Sequence, residues 1–151
     1  QADPVSVDAT VTLTLRDGND DPISAYPGED IEMASTLGGF VACAGGAAAD
    51  ASTDAAGLTT FSGSFNAGGF SAAGEMAVVT VDGLPLVGSN LNILFNSADL
   101  DASGLVDLSD AVTFSTAYQG VYDYKVDFFF DGSLSLSDIV LFAGGYSAVC
   151  P

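Results

Sequence analysis

The run Asp99-Leu100-Asp101-Ala102-Ser103-Gly104-Leu105-Val106-Asp107-Leu108-Ser109-Asp110 puts an oxygen-bearing side chain at positions 1, 3, 5, 9 and 12 of a twelve-residue loop. Position 6 is glycine. A calcium loop needs this spacing: side chains at 1, 3, 5 and 9 and the carbonyl at 7 face the ion, and a carboxylate at 12 closes the site. The backbone turns sharply at 6, where glycine is the residue that fits. The candidate ligands are Asp99, Asp101, Ser103, the Leu105 carbonyl, Asp107 and Asp110, with Gly104 at the turn. Val106 at position 8 is predicted to point back into a core. Every donor is a hard oxygen and neither Cys nor His intrudes, which suits Ca²⁺ rather than zinc or copper.

A second copy follows at Asp127-Phe128-Phe129-Phe130-Asp131-Gly132-Ser133-Leu134-Ser135-Leu136-Ser137-Asp138. Asp127, Asp131, Ser133, Ser135 and Asp138 hold positions 1, 5, 7, 9 and 12, with Gly132 at the turn and Leu134 at position 8. Position 3 is Phe129, which has no side-chain oxygen, so loop 2 is one ligand short and is expected to bind more weakly. Both loops run Leu-Ser-Asp into an apolar helix. Ser109 or Asp110, and Ser137 or Asp138, are the expected helix caps.

Two loop–helix units closed by Asp, without entering helices, resemble a dockerin, the paired calcium-binding repeat of bacterial extracellular assemblies. The resemblance covers about Asp99 to Pro151 and sets a predicted module at 97–151. It implies a possible cohesin-like receptor as partner, recognised through Ser109, Ala111, Ser137 and Ile139 at the loop ends and first helical turns.

The chain has 151 residues, of which 20 are acidic and two basic, Arg16 and Lys125, with no His, for a net charge of −18. Nucleic acid and anionic membrane surfaces are excluded as natural partners, because both are held by Lys and Arg. Yet 48 % of the residues are hydrophobic, so this is a folded protein rather than an acidic tail. No apolar run approaches the roughly 20 residues of a bilayer-spanning helix, and no membrane insertion is expected. The chain begins at Gln1 without Met or a signal sequence, which reads as a processed product. Calcium loops of modest charge fit the millimolar calcium outside cells, so the expected location is extracellular or at the cell surface.

The first 96 residues pattern as strands. Val5, Val7, Ala9, Val11, Leu13 and Leu15 alternate with polar residues, the period of a strand with one buried face. Asp30–Ser35, with Ile31 and Met33 on one face, Phe40–Ala44, Leu58–Ser62, Glu75–Asp82 and Leu91–Asn96 read as further strands. Gly45–Ala56 and Phe65–Gly74 read as loops. About seven short strands with turn signals between them describe a β-sandwich. Thr53-Asp54-Ala55-Ala56-Gly57-Leu58-Thr59-Thr60-Phe61, with the turn Asp17-Gly18-Asn19-Asp20-Asp21-Pro22-Ile23, resembles bacterial immunoglobulin-like domains of the invasin type. The expected fold is therefore mainly β: an immunoglobulin-like sandwich over 1–96, then the small helical calcium module. Only Ser97-Ala98 joins the two, so they are expected to be docked and to share a core.

Cys43 and Cys150 are either one disulfide or two buried thiols; in an exported chain the disulfide is the expected state. No His is available for a nucleophilic triad, and both cysteines lack cationic neighbours. Glu29, Glu32 and Glu75 could serve as paired carboxylates but read as solvated strand and loop residues. No enzyme is expected. Two functional readings follow. One is an extracellular structural subunit, stabilised by Ca²⁺, that assembles with copies of itself into a filament through its N-terminal segment. The other is a plug moored to a cohesin-like receptor.

Overall fold

The structure, a computed structural model, describes residues 10–151; the Val5–Ala9 half of the long alternating run lies outside the described residues. It is mainly β with two helices. Strands β1 (Val11–Thr14), β2 (Ile31–Ser35), β3 (Phe40–Ala42), β4 (Leu58–Phe61), β5 (Ala67–Gly69), β6 (Ala77–Val81) and β7 (Leu84–Pro85) precede helices α1 (Leu108–Tyr118) and α2 (Leu136–Gly145). All ladders are antiparallel: β1 with β4, β3 with β5, and β6 between β2 and β7. The β6–β7 hairpin turns through Asp82 (φ 50°) and Gly83 (φ 75°), the left-handed pair that a two-residue hairpin requires.

Alternation decides which side chains go inside. Ile31 and Met33 on β2, Val79 on β6, Phe61 on β4, and Phe40 and Ala67 on the β3–β5 pair meet in one buried cluster drawn from all three sheets. Each large apolar side chain fully buried there contributes on the order of 1.5–3 kcal/mol. A second cluster, Leu100, Val106, Phe114, Val126 and Phe142, sits under the helices. Its aromatic rings stack, with Phe114 and Phe142 centroids 4.6 Å apart. The two clusters replace the expected shared core: Phe70 reaches across from the strands to the second, but the buried residues of each remain separate.

Two strand assignments change. Within the predicted loop Phe65–Gly74, Ala67–Gly69 pairs with β3. It carries no strand-like alternation because only Ala67 adds an apolar side chain to the core, while Gly68 and Gly69 supply close backbone approach. A Cβ at Gly68 would stand 2.9 Å from both the Ala102 Cα and the Asp99 carboxyl carbon. Conversely, Leu91–Asn96 forms no ladder: the bridges Ala77↔Leu91 and Phe70↔Asn96 hold its ends, Phe95 bonds Ser71 through both its N–H and its carbonyl, and a tight turn from Ile93 N–H to Leu91 O (2.9 Å) breaks its extension.

Glu75, expected in solvent, is 2 % exposed. Its carboxylate accepts from the backbone N–H of Gly39 (2.8 Å), Leu37 (3.3 Å) and Ala72 (2.5 Å), tying two loops together. Burial alone would raise its pKa. The Ser35 hydroxyl and the Ala72, Gly39 and Leu37 amides outweigh it and hold the group below the usual carboxylate range.

The helical module is fastened to the strands at several points. Cys43 and Cys150 form a disulfide with Cα atoms 6.0 Å apart, closing a separation of 107 residues. The Gly69 N–H donates to the Asp99 carbonyl and the Ala67 N–H to the Pro151 carbonyl, both at 2.6 Å. Asn96 Nδ2 donates to the carbonyls of Tyr124 (2.9 Å) and Asp127 (3.2 Å), and Lys125 Nζ lies 5.1 Å from the centre of the Phe70 ring. Among the described residues, no helix is long and apolar enough to cross a membrane.

Candidate metal centre

Each loop ends in a helix whose N-cap lies two residues before the expected Ser109 or Ser137. Asp107 and Ser135 are the N-caps: Asp107 accepts from the Ser109 N–H at 2.7 Å and Ser135 from the Ser137 N–H at 3.2 Å. Asp110 and Asp138 are the third residues of their helices, where a carboxylate reaches back to the N-cap amide in a capping box. Position 12 of each loop therefore has two jobs. It caps the helix and faces the loop interior.

The backbone wiring of the two loops is the same. Asp99 at position 1 accepts from the amides of Ser103 (3.0 Å) and Gly104 (2.8 Å). Asp127 accepts from Asp131 (3.3 Å) and Gly132 (2.9 Å). At position 12, Asp110 accepts from Asp101 (3.2 Å) and Asp107 (2.8 Å), and Asp138 from Phe129 (2.9 Å) and Ser135 (2.8 Å). Val106 at position 8 is fully buried in the second cluster, as predicted, and Leu134 packs against that cluster.

Around these frames the side chains differ. In loop 1, carboxylate oxygens of Asp99, Asp101 and Asp110 all lie within 4.8 Å of one another. Oxygens that share a calcium ion at 2.3–2.6 Å stand no more than about 5 Å apart, so the three can serve one ion. Among the described residues this is the one such group of three acids. Asp99 and Asp110 are fully buried, and Asp101 is exposed. Burial pushes the Asp99 carboxyl up; the Gly104 and Ser103 amides oppose the rise and the charge of Asp110 adds to it. No basic side chain offsets this pair, because Arg16 pairs with Asp20 (3.7 Å) and Lys125 with Asp123 (3.0 Å). Ser103 Oγ donates to the Leu105 carbonyl at 3.2 Å, and Asp107 is turned to its capping role.

In loop 2, the Tyr122 hydroxyl donates to Asp127 Oδ2 at 2.7 Å. That bond first, then burial and the charges of Asp127, Asp131 and Asp138, push the Tyr122 pKa up to about 12. Asp131 Oδ1 accepts from both the N–H (2.9 Å) and the hydroxyl (2.7 Å) of Ser133. Of the three phenylalanines, Phe128 is spent on packing: its ring stacks on Phe114 with centroids 5.9 Å apart, while Phe130 is 76 % exposed.

Loop 1 also has an outer brace that sequence reading missed. The tail 147–150 zips onto its positions 6 to 8 through Cys150 N–H to Gly104 O (2.9 Å), Val106 N–H to Ala148 O (3.0 Å) and Ser147 N–H to Val106 O (2.9 Å). The only sequence signal for this was Cys150 itself, whose own N–H is part of the brace. Loop 2 instead leans on Asn96 and Tyr122. No protein-family profile matches the chain, and no curated protein matches it at a significant level.

Proposed function

We propose that the protein is an extracellular structural subunit that Ca²⁺ stabilises at loop 1 and that assembles with copies of itself into a filament. On this reading residues 1–96 form an immunoglobulin-like sandwich and residues 97–151 a dockerin-like module fused rigidly to it. The observation that carries the metal part is the Asp99–Asp110 pair. Two fully buried carboxylates beside Asp101, with both basic residues of the chain paired elsewhere, are a costly arrangement that a divalent cation would balance. The residues fit calcium: oxygen donors only, a carbonyl at position 7, and glycine with φ 85° at Gly104 to make the turn. One ion takes the formal charge from −18 to −16, since −18 + 2 = −16.

The structural role is supported by the disulfide, which fits an oxidising environment, and by the fastening of the two parts. A module tied down by Cys150, Pro151 and Asn96 makes a stiff building block rather than a plug on a tether. The test is light scattering and electron microscopy of the full chain in millimolar Ca²⁺ and after chelation. Calcium-dependent filaments are expected; a monomer under both conditions would overturn the assembly.

A second reading has its own observation. Leu108 and Val112 of α1 are 69 % and 60 % exposed, and Leu136 and Val140 of α2, at the same positions of their repeat, 71 % and 61 %. Two matching apolar faces next to two loop ends are what a cohesin-like receptor would contact. Changing Leu108 and Leu136 to Ser separates the readings: filaments persist in the first, and receptor capture is lost in the second.

A further inference from the structure

Strand β5 meets loop 1 with backbone alone. β3 occupies one of its edges, and along the other the Ala67 N–H donates to the Pro151 carbonyl and the Gly69 N–H to the Asp99 carbonyl, both at 2.6 Å. Ala67 sends its side chain into the strand cluster, so alternation turns the next residue, Gly68, toward the opposite face, where loop 1 lies. A Cβ at Gly68 would overlap Asp99 Oδ2 and crowd the Asp99 carboxyl carbon and the Ala102 Cα, each 2.9 Å away. Neither neighbour gives way cheaply. Asp99 Oδ2 accepts from the Gly104 N–H at 2.8 Å, and Ala102 is a non-glycine residue already in the left-handed region at φ 58°.

The backbone itself does not ask for glycine here. Gly69, next in line, has φ 84°, but Gly68 lies outside the left-handed region and pairs with Val41 in a regular ladder. What fills the space of its missing side chain is the carboxylate at position 1 of loop 1. We propose that Gly68 is a positioning residue of the loop 1 ion site: having no side chain, it lets the Asp99 carboxylate lie flat against β5, so that the strands help set the calcium affinity of the helical module. The proposal rests on the reading of loop 1 as a calcium site and adds to it a residue from outside the twelve.

The contact works through the turn. Asp99 Oδ2 holds the Gly104 N–H, and the Gly104 carbonyl in turn accepts from Cys150, so the turn residue is gripped on both sides. Displacing Oδ2 would loosen that grip and draw Asp99 away from Asp101 and Asp110, whose oxygens now stand within 4.8 Å of its own. Loop 2 has no such backing: none of the described glycines has Asp127, Asp131 or Asp138 among the atoms nearest its missing Cβ.

The test compares the full chain with Gly68→Ala and with Gly63→Ala, a control between β4 and β5 whose Cβ would meet nothing within 4 Å. Calorimetric titration of Ca²⁺ should show loop 1 affinity lowered by about tenfold or more in Gly68→Ala and unchanged in Gly63→Ala. Calcium should also raise the melting temperature of Gly68→Ala by less than it raises that of wild type. A lower melting temperature with an unchanged titration would make Gly68 a packing residue only and overturn the proposal. Melting in chelator, on an Asp99→Ser background, tests the contact without the ion. There the oxygen that a Cβ would strike is gone, so Gly68→Ala should cost less than it does beside Asp99; an equal cost would also overturn the proposal. Wild type that binds no calcium overturns the loop 1 reading and this proposal with it. Wild type that binds, with Gly68→Ala equal to it, overturns the proposal alone.

Discussion

The two loops share a backbone and diverge in what faces it. In both, the carboxylate at position 1 gathers the amides of positions 5 and 6, and the carboxylate at position 12 gathers those of 3 and 9. Loop 1 then adds Asp101 and leaves Asp99 and Asp110 buried without a compensating donor from any side chain nearby but Ser103, whose Oγ is 3.5 Å from Asp99. Loop 2 replaces that acid with Phe129 and supplies Asp127 with the Tyr122 hydroxyl. The hydrogen-bonded frame of such a loop can therefore form from Asp, Gly and the helix cap alone. Demand for an ion is a separate property. It depends on position 3 and on what neighbouring elements offer the carboxylates.

The largest expected effect comes from cutting the brace that only loop 1 has. Replacing Cys43 and Cys150 with Ser removes a constraint worth on the order of 4–5 kcal/mol in the chain-entropy picture. It also frees the tail that pairs with Gly104 and Val106 on either side of the Leu105 carbonyl. Urea denaturation should show the stability loss. Calcium titration should show affinity lowered by about tenfold or more at loop 1, with loop 2 unchanged. If loop 1 affinity survives, the tail is not what holds its position-7 carbonyl.

A smaller, opposite effect is expected from Phe129→Asp, which gives loop 2 the acid it lacks. Calcium affinity there should rise by roughly tenfold, or about 1.4 kcal/mol, measured calorimetrically. The Phe129 amide still has Asp138 to bind, so the frame should survive the change. No gain would mean that Tyr122, rather than position 3, sets the weakness of loop 2.

Tyr122→Phe tests that alternative and is the mildest change, since Tyr122 is about half exposed. Its pKa is raised from 10.0 to about 12 in the folded protein. The stability it contributes is therefore fully present below pH 10 and is lost as the pH rises through 12. Wild type should lose stability over that window by more than the Phe variant does. Equal alkaline profiles would show that the hydroxyl is not held by Asp127. Loop 1 has no such hydroxyl and should add nothing to the profile.

Much of this comparison could be read from the spacing of Asp, Gly and Ser, because counting along twelve residues places the two carboxylates and the glycine of the shared frame. The same counting put Val106 and Leu134 inside. It named Asp110 and Asp138, which cap from the third helical position, but missed the N-caps Asp107 and Ser135, since these fit both a ligand position and an N-cap and the residues alone do not say which demand wins. Strand reading worked where apolar and polar residues alternate, as in β2, and where Val is concentrated, as in β6, whose first four residues are all buried. It failed at Ala67–Gly69, whose pairing rests on close backbone approach, and at Leu91–Asn96, where the alternation is present but no neighbouring strand completes a ladder. Glu75 looked like any surface acid because its partners are amides of distant loops. Phe129 gave the absence of a side-chain ligand at position 3, but nothing in the triplet 128–130 showed that Phe128 would stack on Phe114.

The central claim is that loop 1 holds the ion and loop 2 does not bind with comparable strength. Calorimetric titration of Ca²⁺ into the calcium-free full chain, beside Asp101→Ala, tests it most directly, because Asp101 is exposed and its loss leaves both buried carboxylates in place. The account predicts one tight site per wild-type chain and its weakening by at least about tenfold in the variant. Two sites of equal affinity in wild type, or an unchanged titration in Asp101→Ala, would contradict it.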